Sequence, residues 1–400
     1  MLDFICRICK GKHYKELVSW EIPLAADVTE KKENCKMYPI EPVICSDCGH
    51  VQLRETLDIN MYDNYLYTPS YAGEFQQYVE KFANNVVEMI DDKANLNVVE
   101  IGSSNGFMLK CMKKKGCNVV GFEPSGILAS EARKMGVNTV EEYFNAGSDT
   151  KVKEILGGNA DVVIARHVLE HLDDPLGVIR AMASIAQEGM IIIEVPWLLK
   201  IVKENQFYAF FHEHVSYFSV TILQKLIENV GFEIINVSEN NLEGGSITIY
   251  AQKKNNKIKA SNIDVYLEKE RKYLSTEAIL KFAQKSMHTI QNVHKYVDEQ
   301  RKKGKKIAVW GAGQRGCTLL ALCKLTDAEI EYAIDVNENY HWKYIQGTNI
   351  QIVPPEYLKD HFVDQILILA TGYSESIIND NLDYVYRGGE FVNIIEKEFV

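Results

Sequence analysis

The sequence predicts an α/β protein in which two Rossmann-like units follow a small cysteine-rich module. Three observations carry this. An apolar run leads into a glycine turn at Val98–Gly106, and again at Ile307–Gly316. After each turn and a helical pattern, a second apolar run ends in an acid, Glu123 in the first unit and Asp335 in the second. Ahead of both, the chain holds two tight C-x-x-C pairs. Strand, glycine turn, helix and acid-ended strand together form a βαβ unit with a nucleotide-sized ligand across the strand ends.

The cysteine pairs come first. Cys6-Arg7-Ile8-Cys9 and Cys45-Ser46-Asp47-Cys48 can each direct two thiolates at one tetrahedral zinc. The intervening loop of about 35 residues costs little extra closure entropy. Four thiolates leave no open coordination position, so the metal is expected to be structural. It also explains how so core-poor a segment folds. His13 and His50 lie nearby and are expected to be surface side chains, since the ligand set is already complete.

In the first unit, Gly102 and Gly106 let the backbone approach a ligand closely, and Glu123 stands where a carboxylate would accept from two ribose hydroxyls. A dinucleotide fingerprint needs a glycine where this chain has Ser104. The pattern Glu100-Ile101-Gly102-Ser103-Ser104-Asn105-Gly106, with an acid about 20 residues on, instead resembles a class I S-adenosylmethionine (SAM) methyltransferase. Later strands are expected at Asp161–Ile164, Gly189–Glu194 and Ser246–Tyr250, and a polar connector at Lys253–Lys257. One charged helical pattern is expected from about Asp264 to Lys303.

The second unit has a true G-x-G-x-x-G, Gly311-Ala312-Gly313-Gln314-Arg315-Gly316, and its second strand is expected at Ile330–Asp335. Glycine amides at a helix N-terminus hold a pyrophosphate. That chemistry serves NAD or a nucleotide-sugar equally, and a scaffold without a ligand is also open.

Two segments offer reactive groups. Phe207–Ser219 sets His212, Glu213 and His214 among aromatics, which reads as a pocket wall. A neutral imidazole can take a proton at cellular pH, and the adjacent carboxylate can orient a substrate. His214 is the expected base and His212 an expected core residue. Arg166-His167-Val168-Leu169-Glu170-His171 spells H-x-x-E-H. As a metalloprotease motif it is set aside, because it follows a strand directly, is cut short by Asp173-Asp174-Pro175, and has no third ligand close downstream. His171 either faces the reaction or caps a short helix.

Composition bounds the rest. Four hundred residues, 46% hydrophobic and 25% charged, fit a globular protein of two or three domains. The net charge of −11 argues against nucleic acid or an acidic membrane as partner. No apolar run suits a bilayer and no signal peptide opens the chain, so a cytoplasmic location is expected. Nothing calls for more than a monomer. The expected domains are a zinc-binding module at 1–58, a SAM-dependent domain at 59–255, and a helical connector with a Rossmann-like substrate domain at 256–400.

Taken in order, these motifs resemble the C-methyltransferases that act on nucleotide-linked keto-deoxysugars. The resemblance covers nearly all of the chain. It rests on the four cysteines, Glu100–Gly106, His212–Ser219, Gly244-Gly245-Ser246, Arg315–Leu320, Asp335-Val336-Asn337 and Tyr344–Ile352. It implies that His214 removes the proton beside the sugar ketone, that Glu213 holds a sugar hydroxyl or amine, and that His171 lines the reacting centre. It further implies a tyrosine at the site, best matched by Tyr67, with Tyr65 and Tyr71 close by. Cofactor contact is implied for Glu100, Gly102, Ser103, Ser104, Gly106, Phe107, Glu123, Pro124, Ser125 and Arg166. Contact with a nucleotide-diphosphate sugar is implied for Tyr71, Phe211, Tyr217, Gly245, Ser246, Gly313, Arg315 and Asp335. The chain departs from the family in having Phe211 where tyrosine is usual and Cys317 where asparagine is common. Two rival classes stay open: a methyltransferase acting at oxygen or nitrogen of a related carbohydrate, and an NAD-dependent oxidoreductase.

Overall fold

A computed structural model describes residues 4–24, 28–33, 35–57, 73–90, 95–254 and 262–395. The first α/β unit is a seven-stranded sheet. Its spatial order is Phe232–Asn240, Ser246–Lys253, Met190–Pro196, Val162–Arg166, Asn97–Ile101, Asn118–Phe122 and Thr139–Val140. The last five run parallel, and the first two form an antiparallel edge. Chain order reverses at Asn97–Ile101, which puts the ligand crevice at the carboxyl end of that strand.

Local chemistry sets the helix starts. Ser125 caps the helix Gly126–Lys134, and Ser219 caps Val220–Asn229. Asp174 caps Pro175–Ala186 with proline in the first turn. The long helical pattern resolves into two helices, Ile263–Tyr273 and Thr276–Lys302. Periodicity alone joined them, but the Ser275 side chain accepts from Ala278 N and opens a new helix.

The C-terminal unit is a smaller, all-parallel sheet ordered Ile352–Val353, Ala333–Ile334, Ile307–Trp310, Gln365–Ile368 and Glu390–Val392. Its second strand is only Ala333–Ile334, shorter than the apolar run predicts.

The N-terminal module does not fold around itself. Ile22, Ile40 and Ile44 share one apolar cluster with Phe207, Phe210, Val309 and Leu319. Its sheet of Tyr14–Glu16, Pro42–Cys45 and Val51–Leu53 is completed by Ser216–Tyr217, two residues beyond His214. A second hairpin, Trp20–Pro23 with Met37–Ile40, lies beside it, and Val28–Thr29 pairs with Tyr344–Ile345 of the C-terminal unit. Among the described residues, no helix is long and apolar enough to cross a membrane.

Candidate active site

One cleft of about 2210 Å³ is lined by both glycine turns. That exceeds the roughly 300–1,000 Å³ usual for one small ligand and leaves room for two. Glu100, Gly102, Ser103, Ser104, Phe107, Glu123, Pro124 and Arg166 line it from the first unit. Gly313, Arg315 and Asp335 line it from the second, and His171, Phe211, Glu213 and His214 lie along it as well.

The first turn is built tightly. Gly106 has φ +79°, and a Cβ there would stand 2.8 Å from Ala132 Cβ, so a side chain is excluded on both counts. The Glu123 carboxylate accepts from Ser104 N and Ser125 N, each at 2.9 Å. Burial raises its pKa, and those two amides partly offset the rise. Its orientation is therefore fixed before any ligand arrives. Glu100 is buried with Oε2 unpaired, and burial pushes its carboxyl up to about 8. Gly106 and Ser125 do not line the cleft; they shape the turn and cap the next helix.

Arg166 leaves the strand end into a fully buried pair, with Nε 2.6 Å from Glu194 Oε2. The Phe82 and Tyr78 rings lie 4.8 and 5.4 Å from its guanidinium carbon. Tyr78 and Asn240 donate to the other oxygen of Glu194, each at 2.8 Å. Against burial, Arg166 and the adjacent His167 hold the Glu194 carboxyl well below the usual carboxylate range. Next to it His167 adopts φ +53°, a left-handed backbone that costs a non-glycine residue energy and recurs at functional sites. His167 lies between Glu170 and Glu194, at 3.4 and 3.7 Å, and these carboxylates lift its pKa to about 10 against the opposing effect of burial.

The turn Leu169–His171 and the segment after Phe207–Ala209 meet at His171 and His214. His171 Nδ1 donates to Glu213 O at 2.9 Å, and Val215 N donates to Glu170 O at 2.8 Å. The His171 and His214 rings meet edge to face at 4.9 Å, and Phe211 lies 4.1 Å from His214. Burial, then the electrostatic influence of the neighbouring His171, Arg315 and His167, holds His214 well below its ordinary 6.5. The imidazole is thus neutral at cellular pH. His212 instead turns away, with Nε2 3.2 Å from Pro39 O.

Three residues expected at the substrate lie off the cleft. Tyr217 is buried and paired with Val51 in the N-terminal sheet. Ser246 is a buried strand residue opposite Pro196, and Gly245 packs under Lys200. Gly244, by contrast, lines the cleft, and Gly245 leads directly into the strand Ser246–Lys253. Tyr67 and Tyr71 lie outside the described residues. His50, expected at the surface, is fully buried, with Nε2 3.2 Å from Ser216 Oγ. The sequence signal misled there because the strand that covers His50 comes from 166 residues away. His167 and Glu170 line the cleft and Glu194 supports it from beneath through Arg166 and His167, yet none of the three received a role from the sequence. Only the H-x-x-E-H spelling could have singled out the first two.

The second turn resembles the first. Asp335 accepts from Ala312 N at 2.6 Å and from Asn337 N at 2.8 Å. Gly311 has φ +108°, and a Cβ there would stand 2.9 Å from Ala370. Arg315 reaches back to the first unit: its Nη1 lies where a Cβ on Gly244 would stand. Among the described residues no carboxylate pairs with it.

At the N-terminus, Cys6 Sγ is 3.6 Å from Cys48 Sγ and Cys9 Sγ is 3.6 Å from Cys45 Sγ. All four sulfurs cluster within 4.8 Å. Thiolates on one zinc at about 2.3 Å stand roughly 3.7 Å apart, so the set fits a tetrahedral metal.

Two family models match the chain, a methyltransferase domain over residues 72–237 and a C-methyltransferase C-terminal domain over residues 241–395. The C-methyltransferase NovU of Streptomyces niveus is 29% identical over 97% of this chain and 94% of its own length. A ubiquinone biosynthesis O-methyltransferase of Vibrio parahaemolyticus is 27% identical, over 36% of this chain and 67% of its own. Among solved structures, magnesium protoporphyrin IX methyltransferase from Synechocystis with bound SAM aligns at 19% identity and a TM-score of 0.36. It covers 45% of this chain and 80% of that one.

The chain is a SAM-dependent methyltransferase of class I. More narrowly it is similar to C-methyltransferases along nearly all of its length, with a methyltransferase domain followed by a C-methyltransferase C-terminal domain.

Proposed function

We propose that the protein methylates a carbon of a nucleotide-linked keto-deoxysugar, with His214 as the base. The single observation that carries this is the placement of a buried, neutral imidazole in the cleft that both glycine turns line. Glu100, Gly102, Ser103, Ser104 and Glu123 would hold SAM, which supplies the electrophilic methyl. Glu123 is already oriented by two amides to meet a ribose. In the second turn the amides opening the helix Gln314–Leu322 would hold the diphosphate, and Asp335 would meet the nucleotide's ribose. Its sugar then extends toward His171 and His214.

In that pose His214 would remove the proton beside the ketone, and the enolate carbon would take the methyl that bound SAM supplies as its carbon–sulfur bond breaks and the neutral thioether leaves. Glu213, next to the base, orients a sugar hydroxyl or amine. The enolate oxygen requires a donor or a cation, since a bare oxyanion in a dry site is costly. Phe211 has no hydroxyl to offer, and Arg315 is a cation whose charge reaches His214. The four cysteines would hold a structural zinc, away from the chemistry.

The test is solvent exchange. In D2O without SAM, the wild type should wash deuterium into the carbon beside the ketone of the sugar substrate. His214→Ala should lower exchange and turnover by about 10²–10⁴ while leaving SAM affinity near wild type. With SAM, product NMR should place the new methyl on carbon. A methoxy signal, or turnover retained in His214→Ala, rejects the reading.

A further inference from the structure

We propose that Glu170, His171 and His214 form a second metal site, which takes a divalent transition metal inside the catalytic cleft. Read along the chain, H-x-x-E-H has neither a long helix nor a third ligand. The fold supplies the missing ligand from a different segment. His167 turns the chain out of its strand in a left-handed conformation, and Leu169–His171 makes a single tight turn. His214 then approaches from the chain after Phe207–Ala209. The ligand atoms of Glu170, His171 and His214 all lie within 4.8 Å of one another.

Each group is prepared for a cation. The Glu170 side chain is 1% exposed, and neither of its oxygens has a hydrogen-bond partner. His167 Nδ1, the nearby cation, stands 3.4 Å from Oε1 without making a hydrogen bond. The His167 ion pair answers the charge of this carboxylate but leaves both oxygens without a hydrogen bond, acceptor capacity that a metal would use. His171 donates Nδ1–H to the Glu213 carbonyl, which puts the ring's lone pair on Nε2. That is the usual outer support of a ligating histidine. His214 is buried and neutral, with its own Nδ1 unpaired.

Two imidazoles and one carboxylate favour zinc, cobalt, nickel or ferrous iron over magnesium or calcium. Bonds of about 2.0–2.2 Å close the set after side-chain movements on the order of 1 Å. Three protein ligands leave open positions toward the cleft. The positive charge of Arg315 and His167 opposes a dication, so this site is weaker than the four-thiolate site and loads after it. The functional consequence rests on the reading of His214 as base: a metal on its lone pair silences proton abstraction, so the ion inhibits reversibly.

Cobalt titration of the full-length, zinc-loaded protein tests this. One further Co2+ per chain should bind and give visible d–d bands, without the sulfur-to-cobalt charge-transfer band that cysteine ligands produce. Glu170→Gln should abolish those bands, and His171→Asn should weaken binding at least tenfold. Should Glu170→Gln fail to fold, His171→Asn carries the test. Bands that never appear, or that persist unchanged in both variants, overturn the site. Turnover should fall as this cobalt binds and return with a mild chelator while zinc analysis stays constant. Turnover that rises instead overturns the inhibitory consequence, and with it His214 as the base, while leaving the metal site standing.

Discussion

The glycine turns of the two α/β units hold their acids in the same way and present them to different neighbours. Glu123 and Asp335 each accept two backbone amides, one from the glycine turn and one from the residue two positions on. Around Glu123 the turn carries Ser104 in its middle and is flanked by the buried Arg166–Glu194 pair. Around Asp335 the middle position is Gly313, where a Cβ would meet nothing within 4 Å. The neighbouring charge there is Arg315, which no carboxylate among the described residues neutralises. The backbone logic is the same in both turns, and the surrounding charges differ. One turn sits beside a neutralised cation, which suits a cationic sulfonium. The other sits beside an available cation, which suits a diphosphate.

The most drastic way to break the comparison is to remove the support shared by both units. Cys45→Ser should release zinc and cost several kcal/mol of stability, read by metal analysis and thermal melting. Because Ser216–Tyr217 completes that module's sheet, the His214 segment should loosen in the same variant. A stable, metal-free Cys45→Ser protein would show that packing alone holds the module.

Separate ligand preferences predict opposite phenotypes for the paired acids. Glu123→Ala should weaken SAM about 10–100-fold, from charged hydrogen bonds worth about 1.5–3 kcal/mol. It should barely move KM for the sugar nucleotide. Asp335→Ala should do the reverse. Calorimetry and steady-state kinetics read both, and parallel losses in the two variants would erase the distinction.

A smaller effect sharpens the link between the units. As the proposed base, His214 would act in its neutral form, and burial holds its pKa well below 6.5. The acid limb of kcat/KM should therefore fall below pH 6.5. Arg315→Gln removes one of the cations that depress this pKa, so the limb should move upward in pH. An unmoved limb would separate Arg315 electrostatically from the base.

A last prediction concerns the stability contributed at Glu100. Its carboxyl is raised from 4.5 to about 8, so the folded protein keeps a proton that the unfolded chain releases above 4.5. Wild-type stability should fall as pH climbs from about 4.5 toward 8 on this account. Glu100→Gln should melt like wild type near pH 5 and higher than wild type at pH 8.

Much of this was legible in the residues. Val98–Gly106 and Ile307–Gly316 give strand, turn and helix by local rules, because apolar runs and glycine conformations act over a few residues. The cysteine pairs were equally plain. Serine at position 275 ended one helix and began another, a local signal that periodicity overrode. His50, Tyr217 and Ser246 were not legible, since what buries each is a strand distant in the chain.

The amino-acid order by itself determined the two nucleotide-type turns, the cysteine module and the aromatic segment holding His214, each a product of short-range spacing. Only the tertiary structure decided that one cleft serves both turns, that His171 and Glu170 meet His214, and that Arg315 crosses between units. The reason is physical: turns and caps are written in neighbouring residues, whereas a site's charges and distances depend on which remote segments pack together.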